Sequence, residues 1–159
     1  MSATRFSAPI DDRWLEDYEP GAVYEYGAVI LGEADIVDFA RRWAPQPMHV
    51  DPEAAAKGQF GGLIASGWHT VAVMMRLLAD HFLSRVASIA SPGIDELRWL
   101  RPVRPGDAPR IRVSILATER SRSRPDRGMV RTLVEVINQR NEPVMSLKAM
   151  NLMRRRSPA

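Results

Sequence analysis

The alternation of apolar and polar residues is sharpest in the second half of the chain. Ile111, Val113, Ile115 and Ala117 alternate with Arg110, Arg112, Ser114 and Thr118, which gives a strand one apolar and one wet face. Val130, Thr132, Val134 and Val136 repeat the pattern, residues 144–153 carry it a third time, and residues 94–100 precede them as a fourth strand. Residues 121–128 and Asn141-Glu142-Pro143 read as hairpin connections, and Pro105-Gly106-Asp107 as a tight turn. Strands joined directly by hairpins run antiparallel.

The first half has a different rhythm. Residues 22–31 carry Val23, Tyr24, Tyr26 and Val29 to Leu31, an expected first strand. Residues 33–43 place Ile36, Val37, Phe39 and Ala40 at helical spacing, with acids early and Arg41-Arg42 late, as the helix dipole favours. Pro45 and Pro47 stop that helix. Asp51 as N-cap and Pro52 at the first helical position start a second, short one running to about Lys57. The longest helix is expected from Ser66 or Gly67 to about Val86, apolar on nearly every face over Trp68 to Met75 and therefore buried all round there. One strand, a long buried helix and four antiparallel strands make an α+β fold.

Residues 1–20 read as an irregular arm, 21–153 as a single domain and 154–159 as a basic tail. The 159 residues fit one domain, which buries roughly 68–70% of its unfolded surface. The composition, 45% hydrophobic and 26% charged, is that of a globular protein. The absence of Cys removes disulfides, thiolate nucleophiles and Cys-ligated zinc. The start lacks the apolar core of a secretory signal. Residues 58–75 carry no formal charge, but four glycines, Gln59, Ser66, His69 and Thr70 make them too polar and broken to span a membrane. We therefore expect a cytoplasmic protein without a membrane partner.

Arg supplies all but two of the 22 positive charges, the exceptions being Lys57 and Lys148, and the net charge is only +3. Arg120, Arg122 and Arg124 share one face near a hairpin tip, without the interleaved aromatics that stack on bases. A solvated strand face accounts for them, and nucleic acid is not expected as a partner.

Two segments carry residue types unlike those of generic loops. Ala44-Pro45-Gln46-Pro47-Met48-His49-Val50-Asp51 is stiffened on both sides of Gln46, so His49 emerges at a fixed place. Phe60-Gly61-Gly62-Leu63-Ile64-Ala65-Ser66-Gly67-Trp68-His69 brings glycine-rich backbone to a helix start with free N–H groups, able to hold a carbonyl oxygen that gains charge. Each has a plainer reading. His49 can bond carbonyls of its own turn, Asp51 and Ser66 can serve only as caps, and His69 reads as a satisfied core histidine. His81 is expected to face solvent.

Together these segments resemble the MaoC-like hydratase/dehydratase family of hotdog-fold proteins, and Pro102-Val103-Arg104-Pro105-Gly106-Asp107 looks like that family's late turn. The resemblance runs from about Tyr24 to Met153. It implies a hotdog fold, a long central helix wrapped by a curved antiparallel β-sheet, paired as a homodimer or higher homo-oligomer with acyl-thioester sites near the interface. It further implies hydration of a trans-2-enoyl thioester or the reverse dehydration, in fatty acid metabolism, with no metal or cofactor beyond the coenzyme A of the acyl-CoA substrate. His49 would then be half of a catalytic pair, and Gly67 with its neighbours the oxyanion site. Gln46, Met48, Ile64, Ser66 and Trp68, with Met75, are expected around the substrate.

The family's Asp stands five residues before its His, where this chain has Ala44. Alanine moves no proton. Asp51 is a possible substitute carboxylate, weighed against its role as a cap. Two readings follow: a hydratase/dehydratase with a rearranged dyad, or a non-catalytic acyl-thioester binding hotdog protein.

Overall fold

A computed structural model describes residues 3–157, so the ends of the expected arm and tail lie outside the described residues. Five strands, β1 (Val23–Tyr26), β2 (Ser88–Trp99), β3 (Arg110–Arg120), β4 (Arg127–Ile137) and β5 (Pro143–Arg154), form one antiparallel sheet in the order β1-β3-β4-β5-β2. Helix α1 (Glu33–Trp43) and two short ones, α2 (Pro47–Val50) and α3 (Pro52–Ala56), precede the central helix α4 (Gly67–Leu77), which a π-helical turn extends through Phe82. Val73, Met74 and Leu77 of α4 share one core with Ile111, Val113, Val134 and Val136 of the sheet. This is the α+β hotdog arrangement expected from the sequence.

The alternating residues of β3 and β4 do what their period dictates. Ile111 and Val113 are fully buried, as are Val130 and Val136, while the intervening arginines stay at the surface. Arg112 reaches across to Glu25 of β1 at 2.7 Å. In contrast, β2 is an edge strand exposed along most of its length, with three register shifts against β5.

Three expected elements change at their ends. The first strand stops at Tyr26 because Gly27 takes a positive φ of 109° and packs against the backbone of Arg110. Beyond it, the Val29 and Leu31 N–H groups still bond the carbonyls of Pro109 and Asp107, but irregularly. The central helix ends at Phe82 rather than Val86. Ser84 ends it, its Oγ accepting from Val86 N and Ala87 N, while the buried Arg13 and Tyr18 hydroxyl donate to the Phe82 carbonyl at 2.9 and 2.7 Å. Residues 47–50, expected as a stiff loop, wind one helical turn in which the Gln46 carbonyl accepts from His49 N and Val50 N.

The central helix is also not buried all round. Trp68 and Met75 are 58% and 46% exposed, and with Ala72 they form an outward apolar stripe. At the far end, the N-terminal segment carries two 3-10 turns and inserts Leu15, Tyr18 and the Phe6 ring, the last stacked 4.0 Å over Tyr24. Among the described residues, no helix is long and apolar enough to cross a membrane.

Candidate active site

Three segments distant in sequence are laced together by backbone hydrogen bonds. Ile64 N donates to the Met48 carbonyl at 3.1 Å, and Ala65 N to the Val103 carbonyl at 2.8 Å. The late turn is pinned in its own right. Gly106 adopts φ 88°, and the buried Asp107 carboxylate accepts from Arg104 N at 2.9 Å and Gln139 Nε2 at 2.7 Å. The result is a cleft of about 420 Å³ into which all three segments place residues.

His49 sits in the cleft wall and is buried. Helix α1 ends one residue before Ala44, Pro47 starts α2, and this single turn aims the imidazole inward. Its Nδ1 lies 2.8 Å from the Ile64 carbonyl oxygen. A carbonyl can only accept, so Nδ1 carries the hydrogen, and in the neutral imidazole Nε2 holds the lone pair. Thus His49 bonds a carbonyl of the glycine-rich segment rather than one of its own turn, in the tautomer a general base requires.

The start of α4 forms the opposite wall. Ser66 caps the helix, its Oγ accepting from Trp68 N at 3.3 Å and its carbonyl from His69 N and Thr70 N. The Gly67 N–H has no acceptor among the described residues. The Trp99 indole lies directly on the Gly67 Cα, so close that a Cβ there would collide with it. Trp99 is held edge-to-face against Trp68, ring centroids 5.4 Å apart.

Gln46, His49, Ile64, Ser66, Gly67 and Trp68 are thereby brought together, and Ala44 joins them. Met48 and Met75 are not in the wall. Met48 contributes its carbonyl to Ile64, and Met75 lies two turns beyond Trp68 on the outward stripe. Asp51 lies outside the cleft, exposed, its Oδ1 accepting from Glu53 N and Ala54 N at 3.0 Å each, a full N-cap. None of the residues lining the cleft is an Asp or Glu. Among the described residues, no three His, Asp or Glu side chains converge to hold a metal ion.

Sequence reasoning missed Trp99, Leu100 and Arg101, which close the wall from the end of β2. Two consecutive bulky apolar residues at a strand end, just before Arg101-Pro102, break the alternation and are the one local sign of a special place. His69 is buried beside the cleft and stacked on Phe39 at 4.5 Å, but it is not a satisfied core histidine, since its Nδ1 has no partner. Burial pushes its pKa below the ordinary value, and the charge of Asp35 pulls weakly the other way. His81 is exposed, as expected, and stacks on Tyr26.

A second hollow, about 650 Å³, lies between the N-terminal segment and the π-helical turn. Its acids are already matched, Asp80 to Arg76 at 2.6 Å and Glu25 to Arg112, and its Arg13 guanidinium is bonded to the carbonyls of Ala8, His81 and Phe82. It holds no group comparable to the poised His49.

Comparison with known proteins agrees with this geometry. The sequence profile of the MaoC-like domain family matches residues 16–139. The chain is 40% identical to a solved MaoC-like dehydratase from Rhodospirillum rubrum, with a TM-score of 0.85 over 91% of this chain and 99% of that one. An R-hydratase from Pseudomonas aeruginosa is 27% identical, with a TM-score of 0.72 over 91% of this chain and 86% of that one. The 3-hydroxyacyl-thioester dehydratase Z of Mycobacterium tuberculosis is 35% identical over 92 residues, 57% of this chain and 61% of that protein. A family profile covering most of the chain, on a fold shared with solved members, makes this chain a member of the MaoC-like domain family.

Proposed function

We propose that this protein adds water to the double bond of a trans-2-enoyl-CoA, or removes it from the 3-hydroxyacyl-CoA, with His49 as the acid–base group. The observation that carries the reading is the His49 Nδ1–H bond to Ile64, which leaves Nε2 as a proton acceptor in a cleft that also holds the free Gly67 N–H. In the hydration direction Nε2 takes a proton from water as its oxygen bonds C3. The electron pair of the double bond moves through C2 onto the thioester oxygen, where the Gly67 N–H stabilises the charge. The protonated imidazole then returns a proton to C2. The reaction is redox-neutral, and every atom comes from water and substrate, so coenzyme A enters only as part of the substrate.

In this reading Ala44 stands at the place of the family motif's Asp, and no cleft residue supplies a carboxylate instead. His49 performs both proton transfers alone, and turnover is correspondingly slow. The active unit is a homodimer working on cytoplasmic acyl-CoA. Support for pairing comes from the exposed edge of β2, with Ile94 and Trp99 uncovered, and from the apolar stripe on α4. Dimer mass in light scattering tests this part, and a monomer at working concentration would overturn it.

The acyl-thioester binding module is the second reading, favoured by the acid-free wall around Ala44. The two are separated by assaying hydration of crotonyl-CoA with the wild type, His49→Ala and Ala44→Asp. Turnover in the wild type, abolished by His49→Ala and raised by Ala44→Asp, is the expected result. A silent wild type awakened by Ala44→Asp would establish the binding module instead.

A further inference from the structure

The arginines of this chain fall into two groups. Several are matched by acids, among them Arg110 and Arg112 by Glu25, Arg127 by Asp126, and Arg156 by Asp12 and Asp17, while others such as Arg98, Arg120 and Arg154 have no ion pair among the described residues. Among the arginines without an ion pair, Arg101 and Arg104 are set apart by their place. Neither guanidinium lies within ion-pair distance of a carboxylate among the described residues, although both stand at the cleft. Arg101 is part of the wall and donates to the Pro143 carbonyl at 2.7 Å. Arg104 donates to the carbonyl of Phe60, itself in the wall, at 2.7 Å. The nearest acid in sequence, Asp107, spends its oxygens on Arg104 N and Gln139.

Each guanidinium is thus held in place by one backbone carbonyl and keeps most of its five N–H donors for something else. The cleft beside them is lined by Phe60, Trp68, Trp99, Leu100 and Val103. An apolar cleft with no acid in its lining and two arginines beside it suits a ligand that is apolar at one end and anionic at the other. The planar fork of Arg matches phosphate in two-point geometry.

Arg120 and Arg122 do not contribute to this border. Trp99 pairs with Met145 at the start of β5, whereas Arg127 pairs with Arg154 at its end. The hairpin is therefore roughly 30 Å from the cleft along the sheet.

We propose that Arg101 and Arg104 form a phosphate-binding rim that holds the phosphopantetheine handle of the thioester while its acyl end reaches His49. This rests on the hydratase reading for the identity of the thioester. The handle is common to coenzyme A and to acyl carrier proteins, and the rim reads the phosphate they share.

The test is calorimetric titration with ligands that cannot react: butyryl-CoA, butyryl-phosphopantetheine and butyryl-pantetheine, against the wild type, Arg101→Met, Arg104→Met and Arg101→Lys. In the wild type the phosphorylated ligands should bind about ten-fold more tightly than butyryl-pantetheine. In either Met variant that ratio should shrink by about three- to ten-fold, and Arg101→Lys should keep part of it. A wild type indifferent to phosphate, or Met variants that weaken all three ligands equally, would overturn the rim. Butyryl-CoA binding more tightly than butyryl-phosphopantetheine would identify coenzyme A as the source. Butyryl carrier protein outbinding both would identify the protein-borne handle. Phosphate discrimination without crotonyl-CoA turnover would leave the rim standing and remove the hydratase reading, whereas no binding of any ligand would remove both.

Discussion

His49 and Ile64, fifteen positions apart, are joined side chain to backbone at 2.8 Å, and the Ile64 N–H is in turn bonded to the carbonyl of Met48. The glycine-rich segment thus orients the imidazole as well as walling the cleft. Replacing His49 by Asn, whose amide can still donate to that carbonyl, should lower kcat by about 10²- to 10⁴-fold with little change in melting temperature. His49→Ala should show the same kinetic loss and also cost about 1–3 kcal/mol, because the Ile64 carbonyl is left buried without a donor. Kinetics and denaturant melts on both variants check the pair. Equal stabilities would mean that the bond to Ile64 does not hold the segment.

The contact between Gly67 and Trp99 predicts a different signature. A methyl group at position 67 meets the indole, and Trp99, 46% exposed, yields by swinging outward rather than by bending the backbone. Gly67→Ala should therefore change stability by less than about 1 kcal/mol. Tryptophan fluorescence should still move to longer wavelength, and turnover should fall as the wall opens. An unchanged spectrum would show that the indole does not rest on Gly67.

His69 contributes to the acid side of the stability curve. Its pKa is lowered by burial, so the folded chain keeps it neutral where the unfolded chain, with an ordinary value of 6.5, begins to take a proton. Stability is lost as pH falls through that value. His69→Phe preserves the stack on Phe39 and removes the titration, so its melting temperature should fall less than that of the wild type between pH 7 and pH 5. Parallel curves for the two proteins would refute this.

Tyr18 acts at the alkaline end. Burial pushes its hydroxyl up to about 12 from 10.0, and Tyr26 is raised to about the same value. Both stay protonated in the folded chain while the unfolded chain ionises, so stability is full below pH 10 and declines as pH rises toward 12. Tyr18→Phe should cost about 1–3 kcal/mol at neutral pH, since the Phe82 carbonyl and Ser84 N lose a partner. Its decline above pH 10 should be shallower but not absent, because Tyr26 remains. Urea melts at pH 7 and pH 11 measure both effects.

What was legible in the sequence was whatever depends on near neighbours in the chain. The two-residue period of β3 and β4 sets which side chains are buried in any sheet, whatever lies over it. The Pro45 and Pro47 stop and the Asp51 cap with Pro52 are backbone chemistry within one turn, and they appear where the residues require them. Gln46, His49, Ile64, Ser66 and Gly67 could be gathered into one site because their two segments together resemble those of the MaoC-like family, and the structure lines one cleft with all five.

Only the tertiary structure decided what depends on which ends meet. The central helix stops at Phe82 because Arg13 and Tyr18, more than sixty residues earlier, take its last carbonyls. Trp99 and Arg101 enter the cleft because β2 ends beside the start of α4, a meeting set by strand order rather than spacing. The outward turn of Trp68 and Met75 follows from which face of α4 the sheet covers. Local patterns fix the burial of a side chain relative to its own strand or helix. The partner it then meets depends on how those elements pack, which no stretch of a few residues contains.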